Sequence, residues 1–185
     1  MTSAVPGSLR AALDHEPVPL RFGTSGRRGL VADLTQLEVY LNVAAEMEYL
    51  LGLPVAEGGI ARGDEFYFAA DLRPSSTAVV DDPPHRGGIA QAVSRAVRDA
   101  GLRPVYLGRI PTPALASHAF ARGRGSIMVT GSHIPFDRNG YKVNTSRGEL
   151  LKKDEAPIQE RVGAVRARLY AQPAAKSPFN ARGML

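Results

Sequence analysis

The stretch "SIMVTGSHIPFDRNGYKV", Ser126 to Val143, decides the fold and raises the functional question. It opens with the apolar run Ile127 to Val129, which is typical of a buried strand, and it becomes polar from Thr130 to His133. A hydroxyl and an imidazole are therefore adjacent where a strand ends, and a basic, glycine-containing loop follows them. This pattern indicates a reactive or ligand-binding loop at the end of the strand.

The composition restricts the class of protein. The chain has 185 residues, 44% of them hydrophobic and none of them cysteine, so we expect one soluble globular domain with no disulfide and no thiolate site. The net charge of +5 favours anionic partners. The arginines are dispersed over many loops and aromatic residues are few, which favours small phosphorylated molecules over nucleic acid. No bilayer-spanning run or secretory signal pattern is visible, so we expect no membrane partner and a cytoplasmic location.

Predicted strands and helices alternate along the chain. The patterns predict helices from Asp33 to about 51, over 89–100, about 113–122 and about 154–170, and strands over 66–71, 103–108, 126–132 and 140–143. The first of these helices is expected to have one apolar face. The alternation is typical of a layered α/β sheet, in which ligands meet loops at the carboxyl ends of strands. The candidate loops, which we expect to converge, are Gly23 to Gly29, Asp71 to Ser76 and Thr130 to Tyr141.

Serine hydrolase chemistry fits Ser132 poorly. The strained elbow of that class needs glycine two residues before and two residues after the serine, and this chain has Thr130 and Ile134 there. Neighbouring side chains on an extended strand also point to opposite faces, so Ser132 and His133 form a poor nucleophile and base pair on spacing alone. We therefore turn to another class of reaction.

Phosphoryl chemistry fits the same loop better. A phosphoserine carries roughly −1.5 to −2 charges at neutral pH and three acceptor oxygens, so it needs cations and close backbone donors. Gly131 permits close approach of the backbone. Arg138, Lys142 and His133 supply donors, and Arg138 is a candidate phosphate-binding residue.

Three stretches, "FGTSGRRG", "AADLRPSS" and "TGSHIPFDRNGYKV", resemble signatures of the α-D-phosphohexomutases, the phosphoglucomutases and phosphomannomutases. The signatures of that family are usually written F-G-T-S-G-x-R-G, G-x-D-x-R-x-S-S, and T-A-S-H-N-P followed by N-G-x-K. The three occur in family order between Phe22 and Lys142. The resemblance covers only the N-terminal domain I of the family. It implies a three-layer α/β/α domain with a mixed, mainly parallel four-stranded core sheet.

The resemblance implies a role for each matching residue. Ser132 would be the phosphorylated serine that exchanges a phosphoryl group with a hexose phosphate, so that phosphate moves between O1 and O6 through a bisphosphorylated sugar. His133 and Lys142 match positions assigned to proton transfer and to charge stabilisation. Arg28 matches the arginine that faces the phosphoserine, although Arg27 beside it could take either role. The residues that match a segment expected to shape the site are Asp71, Arg73 and Ser75.

Two positions of the loop depart from the family pattern. Gly131 replaces the usual alanine, and we expect this site-shaping glycine to loosen the loop. Ile134 replaces the usual asparagine, which removes a polar side chain next to His133. The pair Asn139-Gly140 favours a turn that needs no functional explanation.

The match also leaves metal binding incomplete. The resemblance implies Mg²⁺, bound here only through the phosphate on Ser132, because the family's D-G-D-x-D-R loop belongs to a second domain and does not occur in this sequence. Asp137 is the carboxylate near Ser132, and it fits a turn better than a metal site. The resemblance further implies a hexose 1,6-bisphosphate activator. The expected partners are a hexose phosphate and the remaining domains, in cis or in trans.

The expected organisation is an N-terminal extension over 1–19, the α/β/α domain over 20–170, and a linker or frayed tail over 171–185 toward missing domains. The tail is rich in proline, alanine and serine, which is typical of such segments. We expect little or no turnover from this chain alone. The alternatives are a non-catalytic phosphosugar-binding or regulatory domain, and a domain completed by a separately encoded remainder. The sequence does not choose between glucose, mannose and glucosamine phosphates.

Overall fold

The structure is a computed structural model that describes residues 6–23, 26–81 and 83–185. Thr24 and Ser25 of the first motif lie outside the described residues. In chain order the elements are α1 (Leu9–Ala12), β1 (Arg21–Gly23), β2 (Gly26–Leu30), α2 (Gln36–Gly52), β3 (Glu65–Ala70), α3 (Pro74–Thr77), α4 (Ile89–Asp99), β4 (Arg103–Arg109), α5 (Thr112–Phe120), β5 (Ser126–Val129), β6 (Arg138–Asn144) and α6 (Lys152–Ala171).

In the part of the chain that the structure describes, the strands form one sheet in the order β1-β2-β6-β5-β3-β4. β3 pairs in parallel with β4 and β5, and β6 joins β5 antiparallel, so the sheet is mixed, as predicted. The predicted number of four strands was wrong, because the sheet has six. The expectation of a mainly parallel sheet was wrong as well, because three of the five strand pairings are antiparallel. The glycine-rich segment that the sequence presented as a loop forms the antiparallel pair β1 and β2, and β2 extends the sheet beyond β6.

Helices cover both faces of the central strands. One apolar cluster joins α2, α4 and α6 to the sheet, and a smaller cluster on the other face packs Leu115 and Ala119 of α5 against Tyr67, Ala69 and Met128. β3 and β5 are consequently buried almost throughout, as their continuous apolar runs require. The α/β class and the layered arrangement are confirmed.

Helix α2 is more central than its sequence pattern indicated. It begins at Gln36 because the Oγ1 of Thr35 accepts a hydrogen bond from the backbone N–H of Glu38 at 3.0 Å, whereas Asp33 belongs to a short 3₁₀ turn. It packs between α4 and α6 as well as against the sheet. Twelve of its 17 residues are therefore buried, on more than one side of the helix, so the expectation of a single apolar face was wrong.

The C-terminal residues pack onto the domain. The side chains of Phe179 and Met184 are buried, and the Phe179 ring meets Tyr40 edge to face at 5.3 Å between centroids. The N–H of Leu185 donates to the Oε1 of Gln36 at 2.8 Å. A frayed tail is thus contradicted for these residues, because two apolar side chains bring the segment back to α2. The domain boundaries themselves stay a prediction.

Among the helices of the described residues, none combines the length and the apolar character needed to cross a membrane.

Candidate active site

Ser132 lies in the loop that follows β5, and its side chain is exposed. Its backbone has a φ of 52°, in the left-handed region that side-chain-bearing residues rarely adopt. The backbone N–H of Ser132 donates to the Oγ1 of Thr130 at 2.8 Å. Its Oγ lies 3.3 Å from the Nδ1 of His133. The strand rule that separates neighbouring side chains does not apply at this turned backbone, so the hydroxyl and the imidazole meet.

Arg73 holds this loop in shape. It follows β3, and its guanidinium donates to backbone carbonyl oxygens of Ser132, Ile134, Pro135 and Arg138 at distances of 3.4, 2.7, 2.8 and 2.9 Å. One planar guanidinium therefore satisfies four carbonyl groups of a segment that has no regular secondary structure. This is the geometry expected of a residue that shapes the site.

Gly131 makes room for that guanidinium. A Cβ atom at Gly131 would lie 2.5 Å from both Cζ and Nε of Arg73. The backbone N–H of Gly131 donates to the Oδ2 of Asp71 at 3.1 Å. The expected loosening by glycine is therefore not what the structure shows, because the missing side chain allows Arg73 to fasten the loop.

Asp71 connects the two loops. Its Oδ1 accepts from the backbone N–H of Arg73 at 3.0 Å and from the hydroxyl of Ser76 at 2.6 Å, and its Oδ2 accepts from Gly131. The Nε of Arg73 lies 3.5 Å from the same Oδ2. Both carboxylate oxygens are thus occupied with bracing the loops after β3 and β5.

A buried polar network under the loop was missed by the sequence reasoning. The Nδ2 of Asn139 donates to the hydroxyl oxygens of Ser75 and Ser76 at 2.8 and 2.9 Å. Asn139 and Gly140 lie within β6, so the predicted turn was wrong. A Cβ atom at Gly140 would lie 1.9 Å from the carbonyl oxygen of Arg27. Glycine is therefore required there by close strand packing, and no local sequence signal distinguishes this from a turn.

Three cations share one face of β2 and β6. Arg28 is opposite Gly140 in the ladder, and residues 138, 140 and 142 alternate with the buried Asn139 and Tyr141. Arg28, Arg138 and Lys142 therefore lie on the same face. This face continues toward Thr130, which directly follows β5 at the base of the Ser132 loop.

The surroundings of these cations differ. The Nη1 of Arg28 donates to the carbonyl oxygens of Arg27 and Tyr141, both at 2.8 Å. Burial lowers the pKa of Arg28; the positive charge of Arg73 acts in the same direction, while Asp71 opposes it. The Arg138 side chain is exposed. The ammonium group of Lys142 forms an ion pair with Glu149.

The side chain of Arg27, next to Arg28 on β2, points to the opposite face of the sheet. Its Nε donates to the Oε1 of Glu46 at 2.7 Å, and its guanidinium stacks 3.8 Å from the ring centre of Phe22. Burial by itself lowers the pKa of Arg27, but the charge and hydrogen bond of Glu46, together with Tyr141 and Glu38, outweigh it, so the net shift is upward. The side chain of Arg27 therefore faces α2, whereas the side chain of Arg28 lies on the side of the sheet that carries the serine loop.

The oxygen and nitrogen donors around Ser132 do not form a complete magnesium site. Mg²⁺ prefers six oxygen ligands, usually with one or two carboxylates besides phosphate. Among the described residues no group of three histidine or acidic side chains could hold a metal ion. Both oxygens of Asp71 already accept hydrogen bonds. The carboxylates that such an ion needs are therefore not supplied by this part of the chain.

Comparisons of this chain with a family model and with individual proteins point to the same family. The model of a family described as "Phosphoglucomutase/phosphomannomutase, alpha/beta/alpha domain I" matches residues 19–168. A phosphomannomutase of Salmonella muenchen is 41% identical over 139 residues, which are 75% of this chain and 26% of that protein. A phosphoglucosamine mutase of Rhodococcus jostii is 30% identical over 149 residues, which cover 79% of this chain and 29% of that protein.

A solved structure agrees with these relatives. A Thermus thermophilus protein assigned as a phosphomannomutase superposes with a TM-score of 0.60 at 26% identity, over 80% of this chain and 30% of its own. The chain spans about a quarter to a third of the length of these curated relatives.

Proposed function

The chain belongs to the phosphoglucomutase/phosphomannomutase family as its domain I, and we propose that it is the phosphoserine-bearing domain of a phosphohexomutase. The proposed reaction moves phosphate between O1 and O6 of a hexose through a bisphosphorylated sugar. The observation that supports it is the exposed Ser132 Oγ, 3.3 Å from the Nδ1 of His133, on a loop held by Arg73.

In the proposed transfer, a free hydroxyl of a hexose monophosphate attacks the phosphorus of phosphorylated Ser132. A bond forms between phosphorus and the sugar oxygen, the bond between phosphorus and Oγ breaks, the sugar hydroxyl gives up its proton, and His133 supplies a proton to the departing Oγ. The bisphosphorylated sugar then turns over, and the Oγ of Ser132 attacks the phosphorus of its other phosphoryl group. His133 takes the serine proton back, the departing sugar oxygen takes up a proton to become a hydroxyl, and the phosphoserine is regenerated.

Charge balance supports this assignment. A phosphoryl group on Ser132 would carry roughly −1.5 to −2 charges at neutral pH. Arg28, Arg138 and Lys142 lie on the sheet face that leads to the loop. Positioned cations of this kind stabilise the charge of a transferring phosphoryl group. Asp71, Arg73 and Gly131 act indirectly in this proposal, because they fix the loop that carries the serine.

Other elements of the proposal concern the longer protein. Mg²⁺ would meet Ser132 through its phosphate and take its carboxylates from a second domain, so no step is assigned to the metal here. Hexose 1,6-bisphosphate would act as the activator that charges the serine. The relatives are named as mutases of mannose and glucosamine phosphates, and the proposal for this chain extends only to a hexose phosphate.

Intact mass spectrometry tests the carrier role. After incubation of the purified chain with glucose 1,6-bisphosphate and Mg²⁺, we expect a stable gain of one phosphoryl group. Ser132→Ala should abolish the gain, whereas the control Ser117→Ala, at an exposed position on α5, should retain it. Reversible binding of the sugar without a mass gain would contradict the proposal and favour a non-catalytic phosphosugar-binding domain.

A mutase assay tests the limit placed on this chain alone. With glucose 1-phosphate and Mg²⁺ we expect little or no turnover, because metal carboxylates and most sugar contacts would come from other domains. Rates equal to those of full-length relatives would contradict this expectation.

A further inference from the structure

Glu149 lies outside the three sequence motifs and contacts one of their residues. It pairs antiparallel with Asn144 at the end of β6. Lys142 precedes Asn144 by two residues and shares its face, so Lys142 and Glu149 are diagonal neighbours across this ladder. Their side chains form an ion pair. The fold of the backbone thus brings a carboxylate to the ammonium group of Lys142.

The turn that carries Glu149 is firmly fixed. The backbone N–H of Thr145 donates to the carbonyl oxygen of Gly148 at 2.8 Å, and the Thr145 hydroxyl donates to the same oxygen at 3.0 Å. The hydroxyl of Ser146 donates to the carbonyl oxygen of Gly59 at 3.1 Å. Both side chains are buried. The position of Glu149 is therefore determined by the domain and not by a free loop.

Lys142 is much less exposed than its partner Glu149. The side chain of Lys142 is 17% exposed and that of Glu149 is 62% exposed. Both line a cavity of about 150 Å³ at the end of β2, which also reaches Arg27 and Glu46 on the other face of the sheet and Lys152 and Glu155 at the start of α6. A lysine has a flexible four-carbon stem that can adopt many rotamers, so it needs a partner to occupy one position.

We propose that Glu149 is a positioning residue that holds the Nζ of Lys142 on the cationic face for phosphoryl transfer at Ser132. An ammonium group has three N–H donors, so the bond to Glu149 leaves two for phosphoryl oxygens. Glu149 acts only through Lys142 and is not itself catalytic. This inference rests on the function proposed above, and its test separates the two.

The first measurement does not depend on phosphoryl transfer. Lys142 is acylated with a limiting amount of acetic anhydride, and its modification is quantified by peptide mass spectrometry. We expect Glu149→Ala to increase the acylation rate of Lys142 several-fold, because the ammonium loses its partner in a partly enclosed site. The control Glu155→Gln removes a carboxylate from the same cavity wall, one that pairs with Lys152 at 2.6 Å, and should leave Lys142 unchanged.

The second measurement is the initial rate of phosphoryl gain at Ser132 from glucose 1,6-bisphosphate. An exposed ion pair is worth about 1 kcal/mol at most, so Glu149→Ala should slow the gain by up to about fivefold. Glu149→Gln keeps an acceptor oxygen at the same reach and should retain more of the rate than Glu149→Ala. Glu155→Gln should match the unmodified chain, with equal unfolding midpoints confirming that all variants are folded.

Each outcome has one meaning. Faster acylation of Lys142 together with slower phosphoryl gain supports the inference. Unchanged acylation in Glu149→Ala overturns it, whatever happens at Ser132. Faster acylation with an unchanged rate of phosphoryl gain also overturns it, because the pair then exists without a positioning role. If the unmodified chain never gains a phosphoryl group while the acylation of Lys142 responds to Glu149, the carrier function has failed, and the positioning role is overturned with it.

Discussion

Arg27 and Arg28 are neighbours on β2, yet their side chains leave opposite faces of the sheet. Arg27 is fully buried and pairs with Glu46 on α2, whereas Arg28 is partly buried and donates to backbone carbonyl groups beside β6. Their pKa values move in opposite directions, upward for Arg27 and downward for Arg28. Burial lowers both, and only at Arg27 do the neighbouring groups, Glu46 foremost among them, together outweigh it. The same residue type therefore stabilises the core at one position and remains available to an anion at the next.

The difference between the two arginines shows that a sequence motif locates a functional segment but does not by itself say which residue of that segment faces the site. "GRRG" contains two arginines, and only the register of β2 on β6 decides which one faces the serine loop. The position of Glu46, 19 residues further along the chain, decides what the other arginine does. Substitutions on each side can test this division between a face that stabilises the fold and the face to which the proposed phosphoryl chemistry is assigned.

The largest effect is expected at Arg27. Arg27→Leu leaves the fully buried Glu46 without its cation, and removing one partner of a buried ion pair costs about 3–5 kcal/mol of the free energy of unfolding. The matched variant Arg28→Leu loses two hydrogen bonds to carbonyl groups and should cost about 1 kcal/mol. Urea unfolding of both variants measures the comparison, and equal losses would contradict it.

The double variant Arg27→Leu/Glu46→Leu sharpens this result. Replacement of a whole buried ion pair by apolar residues is often nearly neutral. We therefore expect the double variant to be more stable than Arg27→Leu alone. A loss equal to the sum of the single variants would show that the two side chains do not depend on each other.

The next effect is expected at Arg73, on the side of the chemistry. Arg73→Ala removes four hydrogen bonds to the loop and should cost about 2 kcal/mol, with faster amide hydrogen exchange over residues 131–138. Arg109→Ala is a suitable control, because Arg109 is exposed and makes one bond to Thr77. Unchanged exchange in the loop would show that Arg73 does not hold it.

A smaller effect is expected at Gly131. Gly131→Ala introduces a Cβ 2.5 Å from the Arg73 guanidinium, which must move, at a cost of about 1 kcal/mol. In an Arg73→Ala background the same substitution should cost nothing further. Gly163→Ala, on α6 with open space around it, serves as a control and should be slightly stabilising. Thermal unfolding distinguishes these outcomes.

The smallest effect concerns Tyr49 of α2, whose hydroxyl donates to the Oδ1 of Asp154 at 2.6 Å. Burial, followed by the bond to Asp154, raises the pKa of Tyr49 to about 12. An unfolded tyrosine titrates near pH 10, so the folded state binds the proton more tightly. The stability that this provides is complete below pH 10 and is lost as the pH rises toward 12. Tyr49→Phe should flatten this decline in alkaline urea unfolding, and the exposed control Tyr106→Phe should not.

Much of the fold could be predicted from the sequence, because hydrophobic periodicity and the residues that begin and end helices and strands are local features. The helix over 89–99 and the strand from Glu65 follow directly from spacing and β-propensity. The pairing of β1 with β2 was missed, since short glycine-rich strands resemble loops until a neighbour supplies hydrogen bonds. The burial of α2 on more than one side was missed as well, because acidic residues such as Glu38 and Glu46 are typical of a solvent-facing surface. Each is neutralised by an arginine distant in sequence, Arg166 and Arg27 respectively.

The site was predictable to a similar extent. The loops that carry Asp71 and Ser132 were expected to converge, and Arg73 and Asp71 do join them. The roles of the reacting residues stay predictions. Asn139 was misjudged because an Asn-Gly pair is a strong turn signal, and only the buried hydroxyl groups of Ser75 and Ser76 explain its place in β6. Glu149 had no signal at all, because its partner depends on strand register.

The backbone of Ser132 implies a trade-off between stability and activity. A side-chain-bearing residue in the left-handed region costs about 1–2 kcal/mol relative to glycine, so selection for a durable loop alone would favour the substitution Ser132→Gly. A hydroxyl retained at this conformational expense is typical of positions kept for reactivity. The substitution that would relieve this strain would therefore also remove the hydroxyl to which the proposed phosphoryl transfer is assigned.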